Sequence, residues 1–120
     1  MKYDLEDRTK NFSKNIIILL REIRKDEINR NLISQLIRSA TSIGANYCEA
    51  NNASSNKDFK NKIFICRKEI QETKYWIEIM AQSNPEEKDK LRKLWLEAHE
   101  FALIFNKISS TMKQNQKADN

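Results

Sequence analysis

Histidine is the side chain most often recruited for proton transfer or metal binding near neutral pH. This 120-residue chain has one, His99. Carboxylate-bridged metal sites in helical bundles draw a Glu-x-x-His pair from each of two helices, and no glutamate stands three residues before His99. Glu69 and Glu72 are three apart and so share a helix face, with Glu49 a candidate to stand across from them. Without histidine that trio makes a poor metal site. Lys68 and Glu72 read instead as an i, i+4 ion pair, in the less favourable order. Cys48 and Cys66 have no CxxC spacing and no histidine nearby, so neither is set up as a nucleophile or a ligand. Cys66 falls on an apolar stripe, where cysteine serves as a small core residue. One glycine in the whole chain excludes both the dinucleotide fingerprint and the P-loop. These residues imply no reaction, no cofactor, no metal and no small-molecule substrate.

Two further groups could bind rather than react. Lys60, Arg67 and Lys74 recur every seven residues, which places them on one helical face able to meet phosphates. The competing reading is a solvated face that Glu78 extends. Tyr75, Trp76 and Trp95 could stack on bases, but aromatics at helical spacing more often form core or subunit contacts.

The elements that must position these residues follow from composition. One glycine, one proline and no valine suit a few long helices and little else. Charged residues make up 32% of the chain against 39% hydrophobic, enough for a lean core, and the net charge of +5 is not gathered into a basic block. The longest apolar run, Ile16 to Leu20, is far short of the ~20 residues that span a bilayer. The acidic start, Asp4 to Asp7, is not a secretory signal. A cytosolic protein with reduced thiols, away from membranes, is the resulting expectation.

Apolar spacing predicts a first helix from about Asp4 to Arg24 and a second from Arg30 to Asn51. The second is weakly charged and its middle, Ser39 to Asn46, is nearly all small residues. Gly44 costs ~1 kcal/mol there relative to alanine unless another backbone packs close against it, so this helix should be buried on more than one side. A third helix opens near Ser55 and runs to about Gln82, with a heptad seam of Phe59, Ile63, Cys66, Ile70, Thr73, Ile77 and Met80. Pro85 opens a fourth, capped by Ser83 or Asn84 and running to Met112. Residues 113–120 read as a disordered polar tail. Matched lengths and short connections predict one all-α domain, residues 1–112, folded as an antiparallel up-down-up-down four-helix bundle.

Several stretches in this order carry a resemblance: Gln35-Leu36-Ile37-Arg38-Ser39, Ser42-Ile43-Gly44-Ala45-Asn46 with Glu49-Ala50, Asp58-Phe59 with Lys62, and Lys68-Glu69 with Glu72-Thr73 and Tyr75-Trp76. With the opening Asp4-Leu5-Glu6, Arg8-Thr9 and Phe12-Ser13, they resemble the four-helix bundle family of 23S ribosomal RNA intervening-sequence proteins over about residues 4–110. Cys66 and Ile70 depart from the small alanines of that pattern. The resemblance implies a bacterial bundle that assembles into ring-like pentamers, with no catalytic residues and a largely unassigned biochemical role. A related bundle is the accessory subunit of diversity-generating retroelements, which binds reverse transcriptase and nucleic acid. On this reading Arg38, Ser42, Asn46, Glu49, Asp58, Lys68, Glu69 and Glu72 form a polar network between helices or subunits. The leading expectation is a non-enzymatic bundle that homo-oligomerises as an interaction module. The alternative is an accessory subunit that binds RNA or DNA through Lys60, Arg67 and Lys74.

Overall fold

The computed structural model of the chain describes the backbone of residues 4–119 and side chains from 4 to 113. It is an all-α four-helix bundle: α1 (Leu5–Glu22), α2 (Glu27–Asn51), α3 (Asn56–Ser83) and α4 (Lys88–Asp119), with a 3-10 turn at Pro85–Glu87 leading into α4. The first three helices start on side-chain caps. The carboxylates of Asp4 and Asp26 accept from the backbone N–H groups of Asp7 and Asn29, and the Ser55 hydroxyl accepts from that of Asp58. The Asp26 cap starts α2 three residues before the predicted Arg30. α1 closes at Glu22, and the Lys25 ammonium donates to the carbonyls of Leu20 and Ile23 that the helix end leaves open, at 2.8 and 2.6 Å. Asn84 makes no side-chain cap; Pro85 alone pre-sets the turn. α4 continues to Asp119, through the stretch expected to be a disordered tail, and no glycine or proline after Pro85 interrupts it.

Contacts between neighbouring helices run in opposite chain directions. Glu6 meets Asn51 and Thr9 meets Gly44 across α1 and α2. Arg38 meets Glu72 and Glu49 meets Lys62 across α2 and α3. Arg67 meets Asn106 and Lys74 meets His99 across α3 and α4. The result is an up-down-up-down bundle 54 Å long and 24 Å across. Among the described residues no helix is long and apolar enough to cross a membrane.

Leu5, Phe12, Ile16 and Leu19 from α1 meet Leu36, Ala40 and Ile43 from α2, the Ile63-to-Met80 seam of α3, and Leu91, Ala98, Phe101 and Phe105 from α4. The heptad seam predicted for α3 is thus a core seam. Phe12 packs edge-on against Phe101, and Tyr47 against Phe105, each pair with centroids 5.4 Å apart. The small residues of α2 are buried on two sides within one chain. Ser39, Ala40 and Ile43 face the core, while Gly44 admits α1 so closely that an added Cβ would lie 3.3 Å from the Thr9 hydroxyl.

Candidate functional site

Polar chemistry in this bundle gathers along the seams between helices. On the outer edge of the α2–α3 seam, the Arg38 guanidinium reaches Glu69 at 3.4 Å and Glu72 more closely, and Glu72 also accepts from the Trp76 indole N–H at 3.3 Å. Along α2, the Ser42 hydroxyl donates to the Arg38 carbonyl at 2.6 Å and the Asn46 amide to the Ser42 carbonyl at 2.8 Å. At the far end of the seam the Lys62 ammonium pairs with Glu49 at 2.9 Å. That hydrogen bond and the charge of Glu49 hold the lysine pKa above its ordinary value. Beneath this surface line the Thr73 hydroxyl donates to the buried Ser39 hydroxyl at 3.0 Å.

Six of the eight expected network residues therefore lie on one seam inside a single chain. Asp58 supplies its backbone N–H to the Ser55 cap at the start of α3. Lys68 stands exposed on the outer face of α3, and its expected partner Glu72 is taken by Arg38 from the neighbouring helix. The carboxylates that might have held a metal are engaged with cations: Glu69 and Glu72 with Arg38, and Glu49 with Lys62. Among the described residues no group of three or more His, Cys, Asp or Glu side chains is placed to hold a metal ion.

Lys60, Arg67 and Lys74 share a face, as their spacing predicts, but it is the face turned to α4. Arg67 donates to the Asn106 side-chain carbonyl at 2.9 Å. Lys74 donates to His99 Nδ1 at 3.0 Å and sits 4.7 Å from the centroid of the Trp95 ring, which stacks on His99. A lysine ammonium has no lone pair to accept with, so His99 Nδ1 is the acceptor in this contact. Trp95 in turn donates to Glu78 at 3.1 Å. The basic row and the aromatics are thus joined in one α3–α4 seam.

Two clusters have no counterpart in the sequence reading. Arg8 makes a two-pronged contact with Glu97 at 2.7 and 2.5 Å, reaches Glu100 at 2.8 Å, and lies 5.1 Å from the Phe101 ring centroid, tying α1 to α4. Its charge and hydrogen bond hold the Glu100 carboxyl below its ordinary pKa. At the end of the bundle, Asn29 and Asn84 exchange amide hydrogen bonds, both 2.9 Å, and both side chains are buried. Asn29 also donates to the Arg24 carbonyl at 2.8 Å and accepts from Ser83 at 3.1 Å, while Asn84 donates to the Met80 carbonyl at 3.1 Å. The α1–α2 and α3–α4 connections are locked together there. Asn29 lies seven residues before Leu36 and fourteen before Ile43, on the core stripe of α2. That spacing is the signal that could have found it.

Cys66 is buried, as its apolar stripe predicts, with its S–H directed at the Ile43 carbonyl at 3.6 Å, and Cys48 is exposed on α2. Burial pushes the Cys66 pKa up to about 12, so it stays a neutral thiol.

Comparison with known proteins agrees with this architecture. A search of curated proteins finds no match. The crystal structure of a protein of unknown function from the S23 ribosomal protein family of Bacteroides thetaiotaomicron superposes with a TM-score of 0.79 at 29% identity, covering 88% of this chain and 98% of that one. The profile of the 23S rRNA-intervening sequence protein family matches residues 1–107, nearly all of the bundle described above. A four-helix bundle with its polar residues locked into inter-helix seams, matched over that length, belongs to the 23S rRNA-intervening sequence protein family.

Proposed function

We propose that this protein is a non-enzymatic interaction module that works as a homo-oligomer, most simply a pentamer. The observation that carries the reading is the outer surface of α3 and α4. Phe64, Tyr75, Leu96 and Leu103 are each more than half exposed there, and Ile79 is partly exposed beside them. Phe64 and Tyr75 are eleven residues apart and Leu96 and Leu103 seven, so each pair shares one outward bearing on its helix. Aromatic and aliphatic side chains held in a row on a solvent-facing surface mark an interaction site. A second copy of the chain offers the same surface and so can bury them.

The weakly charged α2 supports the reading less than its sequence suggests, because much of its uncharged surface is already covered by α1 and α3. The rest of the molecule supports a binding role over a chemical one. Glu49, Glu69, Glu72, Glu97 and Glu100, the histidine and the buried thiol are occupied in holding helices together. Light scattering at micromolar concentration tests the proposal. The expected mass is about five times the 14.2 kDa of one chain, and a monomer would refute it.

A further inference from the structure

Between the two exposed rows of α3 and α4 runs the seam that holds the single histidine of the chain. On α4, His99 lies three residues after Leu96 and four before Leu103, so the three share one side of the helix. Across the seam on α3, Lys74 precedes the exposed Tyr75. Two contacts hold Lys74 there, one to His99 Nδ1 at 3.0 Å and one to the face of Trp95, whose centroid is 4.7 Å away. Both Lys74 and His99 are half-buried. The first contact needs an unprotonated Nδ1, because an ammonium can only donate. Histidine is the side chain whose charge ordinarily changes between pH 5 and 8. Protonation of the ring puts a hydrogen on Nδ1, removes the acceptor and sets a second positive charge beside the first. The surroundings offer little to offset it. Glu78 is the carboxylate of this seam, and it accepts from the indole N–H of Trp95 at 3.1 Å. The other charges along the seam are Arg67, bonded to Asn106, and Arg92, seven residues before His99 on α4, and both are positive. α1 borders the opposite flank of α4, where Arg8 holds Glu97 and Glu100. α2 borders the opposite flank of α3, where Arg38 holds Glu69 and Glu72.

We infer that His99 is an acid-sensitive latch: its protonation expels Lys74 from the seam onto the α3–α4 surface, and this separates copies of the chain. The inference rests on the reading of that surface as the one that joins copies. Trp95 decides which cation leaves. Its ring is stacked on the imidazole, with planes 9° apart and centroids 5.2 Å apart. An aromatic face attracts a cation, so the protonated ring keeps its place, and the lysine, on its flexible stem, moves. The core closes the inner side of the seam, so the way out lies between the Tyr75 row and the Leu96 row. In a single chain that way leads to water. In an assembly the apolar side chains of the neighbouring copy cover it, and an unpaired ammonium there is costly. The free chain therefore binds the proton more tightly than the assembled chain. By linkage, assembly is complete above the histidine range and is lost as pH falls through it.

Sedimentation velocity of the full chain over a concentration series, at about pH 7.5 and about pH 5.5, tests this. The wild type should assemble at the higher pH and need at least about tenfold more protein to assemble at the lower. In His99→Asn the side-chain oxygen stands in for the Nδ1 acceptor and takes up no proton. In Lys74→Met the stem that covers Trp95 is kept and the charge is lost. The two midpoints of each variant should differ by less than about twofold, a comparison that does not depend on its absolute affinity. Circular dichroism checks that each variant is folded at both pH values. The chain has one histidine, so NMR of a sample labelled in the histidine ring follows His99 alone. By reciprocity its titration should move about one pH unit lower between dilute and assembled samples. A role in packing alone would leave that titration in place. A wild type that assembles equally at both pH values would overturn the inference and leave the assembly reading standing. So would variants that keep the full acid effect, or a ring titration that ignores protein concentration. A wild type that is monomeric at the higher pH would overturn the assembly reading and the inference with it.

Discussion

Burial sets the two thiols of this protein to different chemistry. Cys48 is exposed and should react at once with a disulfide reagent, whereas Cys66 should react only as the bundle unfolds. Cys66 also makes stability depend on pH at the alkaline end. Its folded pKa, about 12, lies above the ordinary 9.0, so between those values the folded chain binds the proton more tightly than the unfolded chain. Stability is therefore lost as pH rises through that window. Urea unfolding of wild type and Cys66→Ala between pH 8 and 11 checks this, and the wild-type midpoint should fall more steeply. At the other end of the bundle, Asn84→Ala leaves one side of the Asn29 amide unpaired in a dry site and should cost about 1–3 kcal/mol. A double-mutant cycle with Asn29→Ala should show that the two effects are coupled. The Cys66 site was legible from its place on an apolar stripe. The asparagine pair was not, because Asn29 fell in a connection once α2 was started at Arg30. The cap that moves the start, Asp26 with the Asn29 N–H, is only visible as a hydrogen bond. Arg8 was hidden for a different reason: its partners Glu97 and Glu100 are about ninety residues away, and local pattern carries no such pairing.

At the scale of the helix, α2 is the element on which the fold turns. Its small residues let α1 approach on one side while Ser39, Ala40 and Ile43 fit the core on the other. Gly44 is the closest point, and Thr9 opposite it is fully buried and has little room to give. Gly44→Ala should therefore be near neutral, the ~1 kcal/mol gain in helix propensity offset by the squeeze on Thr9. Gly44→Leu should destabilise by about 2–3 kcal/mol by forcing α1 outward. Thermal and urea unfolding of the two variants would read the difference. The number, order and approximate length of the helices could be read from the sequence because two breakers and four apolar stripes leave few alternatives. Which neighbour each polar face meets could not, because a heptad pattern fixes the inward face of a helix and says little about its flanks. For that reason the Lys60, Arg67 and Lys74 row, correctly placed on one face, looked free until α4 was seen against it.

Across the whole molecule, the two halves of the bundle present different outer surfaces. α3 and α4 show the exposed row of Phe64, Tyr75, Leu96 and Leu103, and α1 and α2 show an open groove lined by Glu6, Lys10 and small residues, with Ile18 and Ile28 exposed elsewhere on these helices. We read the first as the surface that joins copies of the chain. Family membership fixes the bundle, and the polar seams tie its helices to one another. The use made of the outer surfaces is the part that sequence pattern hardly reveals, since exposed leucines and lysines at helical spacing are ordinary one at a time. Sedimentation velocity of the wild-type chain and of the double variant L96E/L103E at micromolar concentration tests the assembly claim most directly. A wild type that sediments as one species of about five chains, with a folded variant that sediments as a monomer, is the predicted result. A wild type that sediments as a monomer, or a variant that assembles unchanged, would contradict it.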